Sequence, residues 1–268
     1  VLITGETGFI GSRLRRPGER ILVRRPCPDA LAVQGAFSDP ASLARACEGV
    51  TTVFHCAGHA DASRSSDPHL HWLINFEGTR NLVNAAGRAG VRSFVFLSSV
   101  KAMADPGAEC VDEDWPGEPE TDYGRAKRAA EAAVLEAGAK YGMHVVCLRL
   151  TMVYGAGRGS LAKLARLLRR RWCPLPPETG NRRSLVHVDD VVSAMRLVAE
   201  HPRAAGRTYI IADARPYSAR EICEAILAAE GLSPFRWTVP AWLLQVGAKG
   251  GDLLSFVVRR PLPISTET

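Results

Sequence analysis

No apolar run in the 268 residues reaches the ~20 needed to span a bilayer. There is no internal repeat and no low-complexity tract. The glycine motif begins within five residues of Val1, so no signal peptide is expected ahead of the first strand, and a cytoplasmic setting is expected. The seven cysteines (Cys27, Cys47, Cys56, Cys110, Cys147, Cys173, Cys223) form no CxxC pair, and their odd number points to a reducing compartment without structural zinc. His55 and His59 lack metal-ligand partners at credible spacing, so no metal is expected. The formal charge of +6 favours anionic ligands, but no aromatic-basic motif accompanies it, so nucleic acid is not expected as a partner.

What is there is an ordinary globular composition, 46% hydrophobic and 23% charged, long enough for a sizeable core. Strands are expected at Val1–Thr4, Ile21–Val23, Thr52–Cys56, Phe94–Leu97, Val145–Leu150 and Thr208–Ala212. Helices are expected at Ala41–Glu48, Asn75–Ala89, Tyr123–Tyr141, Leu161–Arg171, Val186–Glu200 and Ser218–Glu230, the last with a Ser-x-x-Glu capping box. Strands alternating with helices predict an α/β fold with a doubly wound parallel sheet of Rossmann type. Residues 1–150, rejoined by 184–212, are expected to bind a dinucleotide. Residues 151–183 and 213–268 are expected to form a smaller, discontinuous substrate-binding part.

Two motifs carry chemistry. In Thr4-Gly-Glu-Thr-Gly-Phe-Ile-Gly11, directly after the first strand, Gly5, Gly8 and Gly11 allow a tight turn and close approach of backbone to a diphosphate held at a helix N-terminus. Without a ligand the same motif is merely a Gly-rich strand–helix turn. Tyr123 and Lys127 share one helix face at i, i+4. A free Tyr, with a pKa near ~10, is a poor base at neutral pH; a neighbouring ammonium and an oxidised nicotinamide both favour its phenolate. An isolated pair of this spacing is commonly incidental, but Ser98-Ser99 at an upstream strand end supports a catalytic reading. Lys163, Arg166 and Arg169–Arg171 interleave with leucines in a basic amphipathic helix. A solvated face explains it, and attraction to a diphosphate or an anionic membrane surface is the sharper reading.

These residues together resemble the extended short-chain dehydrogenase/reductases of the NAD-dependent epimerase/dehydratase group. The likeness rests on the glycine motif and on Val53-Phe-His-Cys-Ala-Gly58, Asn75-Phe-Glu-Gly-Thr-Arg-Asn-Leu82, Phe94-Val-Phe-Leu-Ser-Ser99 and Tyr123-Gly-Arg-Ala-Lys127. Leu148-Arg-Leu-Thr-Met-Val-Tyr-Gly155 and Arg183-Ser-Leu-Val-His-Val-Asp-Asp190 extend it over nearly the whole chain. The resemblance implies a catalytic triad of Ser99, Tyr123 and Lys127, with Ser99 also touching substrate, and Arg183 facing a substrate diphosphate. It makes Asn75 a structural and active-site asparagine. It implies that NAD or NADP is held by Gly5, Thr7, Gly8, Phe9, Ile10, Gly11, Arg24, Phe37, Ala57 and Gly58 together with Tyr123 and Lys127. The first helix is about one turn shorter than in such proteins, and Ala36 stands where many have an acidic residue. The second strand ends Val23-Arg24-Arg25, with no carboxylate for a ribose hydroxyl, so NADP is as well suited as NAD.

The expected activity is epimerisation of a nucleotide-linked or lipid-diphosphate-linked sugar through a transient keto intermediate. The alternatives are an NADP-dependent reductase or dehydrogenase of hydroxysteroid or dihydroflavonol type, and a non-catalytic dinucleotide sensor. The expected partner is a small-molecule substrate, and self-association as a homodimer is left open.

Overall fold

Short runs of Leu, Ile, Val and Phe build the strands of the computed structural model, which describes residues 1–60, 67–107, 109–157, 159–170, 175–178 and 180–233. They are β1 (Leu2–Thr4), β2 (Arg20–Val23), β3 (Ala32–Gln34), β4 (Thr52–His55), β5 (Ser93–Ser99), β6 (His144–Leu150), β7 (Met152–Tyr154), β8 (Arg182–Arg183), β9 (Leu185–His187), β10 (Arg207–Ile211) and β11 (Tyr217–Ser218). The helices are α1 (Gly11–Leu14), α2 (Pro40–Cys47), α3 (Pro68–Leu70), a π-helix (His71–Glu77) running into α4 (Gly78–Arg88), then α5 (Asp122–Tyr141), α6 (Ser160–Arg169), α7 (Val188–Val198) and α8 (Ala219–Ala229).

Seven strands form one sheet in the order β10-β6-β5-β4-β1-β2-β3, and every neighbouring pair is parallel. This is a Rossmann-type doubly wound sheet, as the sequence predicts. Both faces are covered, and the two-residue strand period divides the apolar side chains between them. Phe94, Phe96 and Val145 pack with Leu43, Leu82 and Val134 of α2, α4 and α5. Val95, Leu97 and Val146 pack on the opposite face with Leu14 of α1 and Val191 and Met195 of α7.

The chain divides into two compact units. The first takes the described residues of Val1–Ala62, Asp67–Val153 and Val186–Ala212; the second takes those of Tyr154–Leu185 and Asp213–Thr268. Within the second, β8 and β11 pair antiparallel, and Leu168, Leu175, Cys223 and Leu227 form a small core between α6 and α8. The capping box of α8 is complete. The Ser218 hydroxyl accepts the Glu221 N–H and the Glu221 carboxylate accepts the Ser218 N–H.

Several boundaries differ from the sequence reading. The helix expected from Val186 starts at Val188, because Leu185–His187 is extended and His187 caps the helix, its Nδ1 accepting the Asp189 N–H at 3.3 Å. The helix expected from Asn75 is entered seven residues earlier at Pro68, which Asp67 caps. β3, with two half-buried residues and the exposed Gln34, carries too short a pattern to be read in advance. Arg171, expected to close the basic helix, lies outside the described residues, as does Cys173.

Candidate active site

The strand order reverses between β1 and β4, and a cleft of about 800 Å³ opens there at the carboxyl ends of the strands. Gly5 leaves β1 with φ +73, and a Cβ on it would stand 2.7 Å from the Ala57 nitrogen at the end of β4. Only glycine allows that approach. A Cβ on Gly11 would stand 2.2 Å from the Gly5 carbonyl oxygen, so the first helix can close on the turn only because that position is bare. The Gly8 N–H closes the turn onto the Gly5 carbonyl at 2.9 Å. Because α1 is a single turn, what the cleft offers an anion is local backbone N–H rather than a long helix dipole.

The floor is set by a chain of buried hydrogen bonds. Thr79 Oγ1 donates to the Asn75 carbonyl at 2.7 Å. It therefore accepts from His55 Nε2 at 2.9 Å, and His55 Nδ1 accepts from Thr4 Oγ1 at 2.7 Å. Thr4 Oγ1 in turn accepts the Ala57 N–H at 3.3 Å. Burial first, and the Lys127 ammonium second, push the His55 pKa down to about 3, so this imidazole is a neutral pin between β1, β4 and α4. Beside it, Asn75 accepts the His59 N–H at 2.7 Å and donates to the His59 carbonyl at 2.9 Å.

Of the residues expected to hold a dinucleotide, Gly5, Thr7, Gly8, Arg24, Phe37, Ala57 and Gly58 line the cleft. Phe9, Ile10, Gly11, Tyr123 and Lys127 do not; Arg13 lies over the Phe9 ring, and Gly11 is buried against Gly5. Phe37 packs edge-on to His55, and its carbonyl accepts from Asn81 at 3.0 Å. Asn81 also lines the cleft, as do Arg25 and Cys27, none of which was among the residues expected to hold the dinucleotide.

Ser99, Tyr123 and Lys127 meet where β5 ends and α5 begins. Thr121 caps α5, accepting the Gly124 N–H at 3.0 Å, so Tyr123 sits in a defined first turn. Burial raises the Tyr123 pKa and a hydrogen bond with the Ser99 hydroxyl works against that rise. Lys127 is buried, donates to the Leu97 carbonyl at 2.8 Å and lies 4.7 Å over the Phe96 ring. Burial, opposed by the Glu131 carboxylate, pushes its pKa down to about 8. A Cβ on Gly58, which lines the cleft, would stand 3.5 Å from the ammonium, so Lys127 lies directly behind that glycine. The arrangement joins a phenol, a hydroxyl and an ammonium, the parts needed to move a proton on and off an alcohol.

The sequence reading passed over His71, which is buried with its ring 5.5 Å from that of Tyr123. It also passed over the Glu131–Arg149 ion pair behind Lys127. The latter had a signal, since Glu131 follows Lys127 by one helical turn. Arg183, expected to face a substrate, is an exposed residue of β8 in the second unit, opposite Tyr217. Among the described residues no group of three or more His, Cys, Asp or Glu is arranged to hold a metal, and no helix is long and apolar enough to cross a membrane.

The model of the NAD dependent epimerase/dehydratase family matches residues 1–212. A UDP-glucose 4-epimerase of Vibrio cholerae is 30% identical over 270 residues, spanning 93% of this chain and 81% of its own length. A 3β-hydroxysteroid dehydrogenase/Δ5→4-isomerase of Mycobacterium tuberculosis is 27% identical over 278 residues, spanning 90% of this chain and 75% of its own length. Among solved structures, MoeE5 in complex with UDP-glucuronic acid and NAD superposes with a TM-score of 0.74 at 29% identity, covering 87% of this chain and 83% of MoeE5.

Proposed function

From its membership of the NAD-dependent epimerase/dehydratase family, to which the chain belongs, we infer that this protein is an NAD(P)-dependent epimerase of a nucleotide-linked or lipid-diphosphate-linked sugar. The observation that carries the reading is the intact Ser99–Tyr123–Lys127 constellation beside a glycine-walled cleft. The bare positions at Gly5, Gly8 and Gly58 suit a dinucleotide, which would supply reversible hydride exchange with the sugar carbon. Tyr123 takes the proton from the sugar hydroxyl and returns it, and Ser99 hydrogen-bonds the same oxygen. Lys127 has three N–H donors, one of them given to Leu97. Its charge favours the Tyr123 phenolate against the burial that opposes it. The UDP-sugar ligand of MoeE5 and the activity named for the Vibrio cholerae relative support the substrate class.

Arg24 and Arg25 in the cleft, and the steroid-dehydrogenase relative, favour a second reading, an NADP-dependent reductase or dehydrogenase using the same triad. The two differ in net redox change. Purified protein should carry retained cofactor and convert UDP-glucose to its 4-epimer without net change in absorbance at the reduced-nicotinamide band. Tyr123→Phe should lower turnover by about 10²–10⁴-fold while cofactor binding persists. Stoichiometric consumption of NADPH by a carbonyl substrate, with no epimer formed, would overturn the epimerase reading in favour of the second.

A further inference from the structure

Three successive residues at the end of β5 each meet one face of α5. The Leu97 carbonyl accepts from Lys127 at 2.8 Å and the Ser98 hydroxyl donates to Glu131, while the Ser99 hydroxyl is near enough to Tyr123 to favour its phenolate. Positions 123, 127 and 131 follow at four-residue intervals, so they rise along one side of the helix. Glu131 is buried and is held from two sides. Arg149 of β6, which lies opposite Ser98 in the ladder, donates to it from Nε at 3.0 Å and from Nη2 at 2.8 Å. Arg149 itself is anchored by donating from Nη1 to the Glu113 carbonyl at 2.8 Å. Glu131 thus spends its oxygens on Ser98 and Arg149, and what reaches Lys127 is its field through a dry interior.

We propose that Glu131, fixed by Arg149 and Ser98, is a positioning residue that holds the Lys127 ammonium charged and in place for Tyr123. The proposal rests on the reading of Tyr123 and Lys127 as the acid–base machinery and adds a residue that touches neither substrate nor cofactor. The titratable groups that act on Lys127 are Glu131, one turn further along α5, Cys56 just past β4 and Cys147 on β6, with His55 of β4 within the field of its ammonium; Arg149 of β6 is paired to Glu131, and His71 of the π-helix lies against Tyr123. Burial keeps His55 neutral, and it pushes Cys56 up to about 12 and Cys147 well above the usual thiol range. Burial likewise raises Tyr123. Near neutral pH this leaves Glu131 as the negative charge that supports the ammonium.

The chain has five lysines, so the 13Cε resonance of Lys127 can be assigned by its loss in Lys127→Met and followed against pH without any substrate. Glu131→Gln should lower the Lys127 midpoint by roughly one unit, and the alkaline limb of kcat/KM should move down with it. Glu131→Asp, which keeps the charge, should stay near wild type on both readouts. If Glu131→Gln fails to fold because Arg149 is left unpaired, Glu131→Gln/Arg149→Met removes that burden and should show a fall in the same direction, smaller because a neighbouring cation goes too. A Lys127 midpoint unmoved in the Gln variants, with a rate lowered equally at all pH values, would reduce Glu131 to a structural ion pair. If Tyr123→Phe retains activity, the functional reading fails, yet the Lys127 titration still tests the coupling.

Discussion

At the end of β2 the chain presents two guanidiniums where a carboxylate would accept a ribose hydroxyl. Arg24 is exposed and lines the cleft, and we propose that it would give a 2′-phosphate a charge-assisted hydrogen bond that a hydroxyl would not receive. Arg24→Asp should weaken NADP binding by about ten- to a hundredfold and spare or improve NAD, as calorimetric titration of both cofactors will report. An unchanged preference would remove Arg24 from cofactor choice. At Gly11 the constraint is steric. A methyl there meets the Gly5 carbonyl oxygen at 2.2 Å, and backbone cannot rotate away as a side chain can. Gly11→Ala should cost about 1–3 kcal/mol in denaturant unfolding and should weaken cofactor binding by displacing the turn. The spacing of these glycines was legible in the sequence. Which of them face the cleft and which face each other was not, because that depends on where β4 ends relative to β1.

The element that carries most of the chemistry is α5. Its Ala-rich pattern and the Tyr–Lys spacing were readable directly, and the helix spans Asp122–Tyr141, one residue from the expected start. Its placement depends on a contact the sequence does not announce. A Cβ on Gly124 would stand 2.1 Å from the Lys101 carbonyl oxygen, in the turn that follows Ser99. Gly124→Ala should therefore push the first turn of α5 away from Ser99, lowering kcat more than KM and more than the change in melting temperature suggests. An active variant of wild-type kcat would show that this turn tolerates displacement. The π-helix at His71–Glu77 is the opposite case. Its apolar spacing reads as ordinary helix, and the wider turn goes with tertiary bonds, since Asn75 is committed to the His59 backbone on both of its amide atoms.

Over the whole molecule the first unit is assembled from separated stretches of chain. Arg196 on α7 donates to Glu19 at 2.6 and 2.8 Å and to the Leu14 carbonyl at 2.6 Å, tying the returning segment to the start of the fold. Burial opposes ionisation of Glu19, but the bonds from Arg196 and the Arg16 N–H outweigh it and hold the carboxyl below its usual 4.5. A depressed carboxyl stabilises the fold above its unfolded-state pKa, and that contribution fades as pH falls through the folded-state value. Glu19→Gln should thus be less stable than wild type near neutral pH, with the gap narrowing below about pH 4; a gap constant with pH in urea titrations would contradict this. In the second unit, Arg183 is the cation proposed for a substrate diphosphate. Arg183→Ala should raise KM for a UDP-sugar and leave cofactor affinity unchanged. Equal UDP affinities in wild type and variant would argue against that role.

Local chemistry alone determined the alternation of strands with helices that implies a parallel sheet, the glycine turn, the capping box at Ser218 and the spacing of Tyr123 and Lys127 on one helix face, because each depends on residues within a few positions of one another. Tertiary structure decided the rest. The Ser98–Glu131–Arg149 network joins residues of β5, α5 and β6 that lie 18 and 33 positions apart, and only the register of Ser98 against Arg149 brings them together. The neutrality of His55 likewise follows from its burial and from the Lys127 ammonium, and the hydroxyls that hold its ring, Thr4 and Thr79, come from 51 and 24 residues away. Burial and long-range hydrogen bonding set those properties, and neither is a function of sequence neighbours.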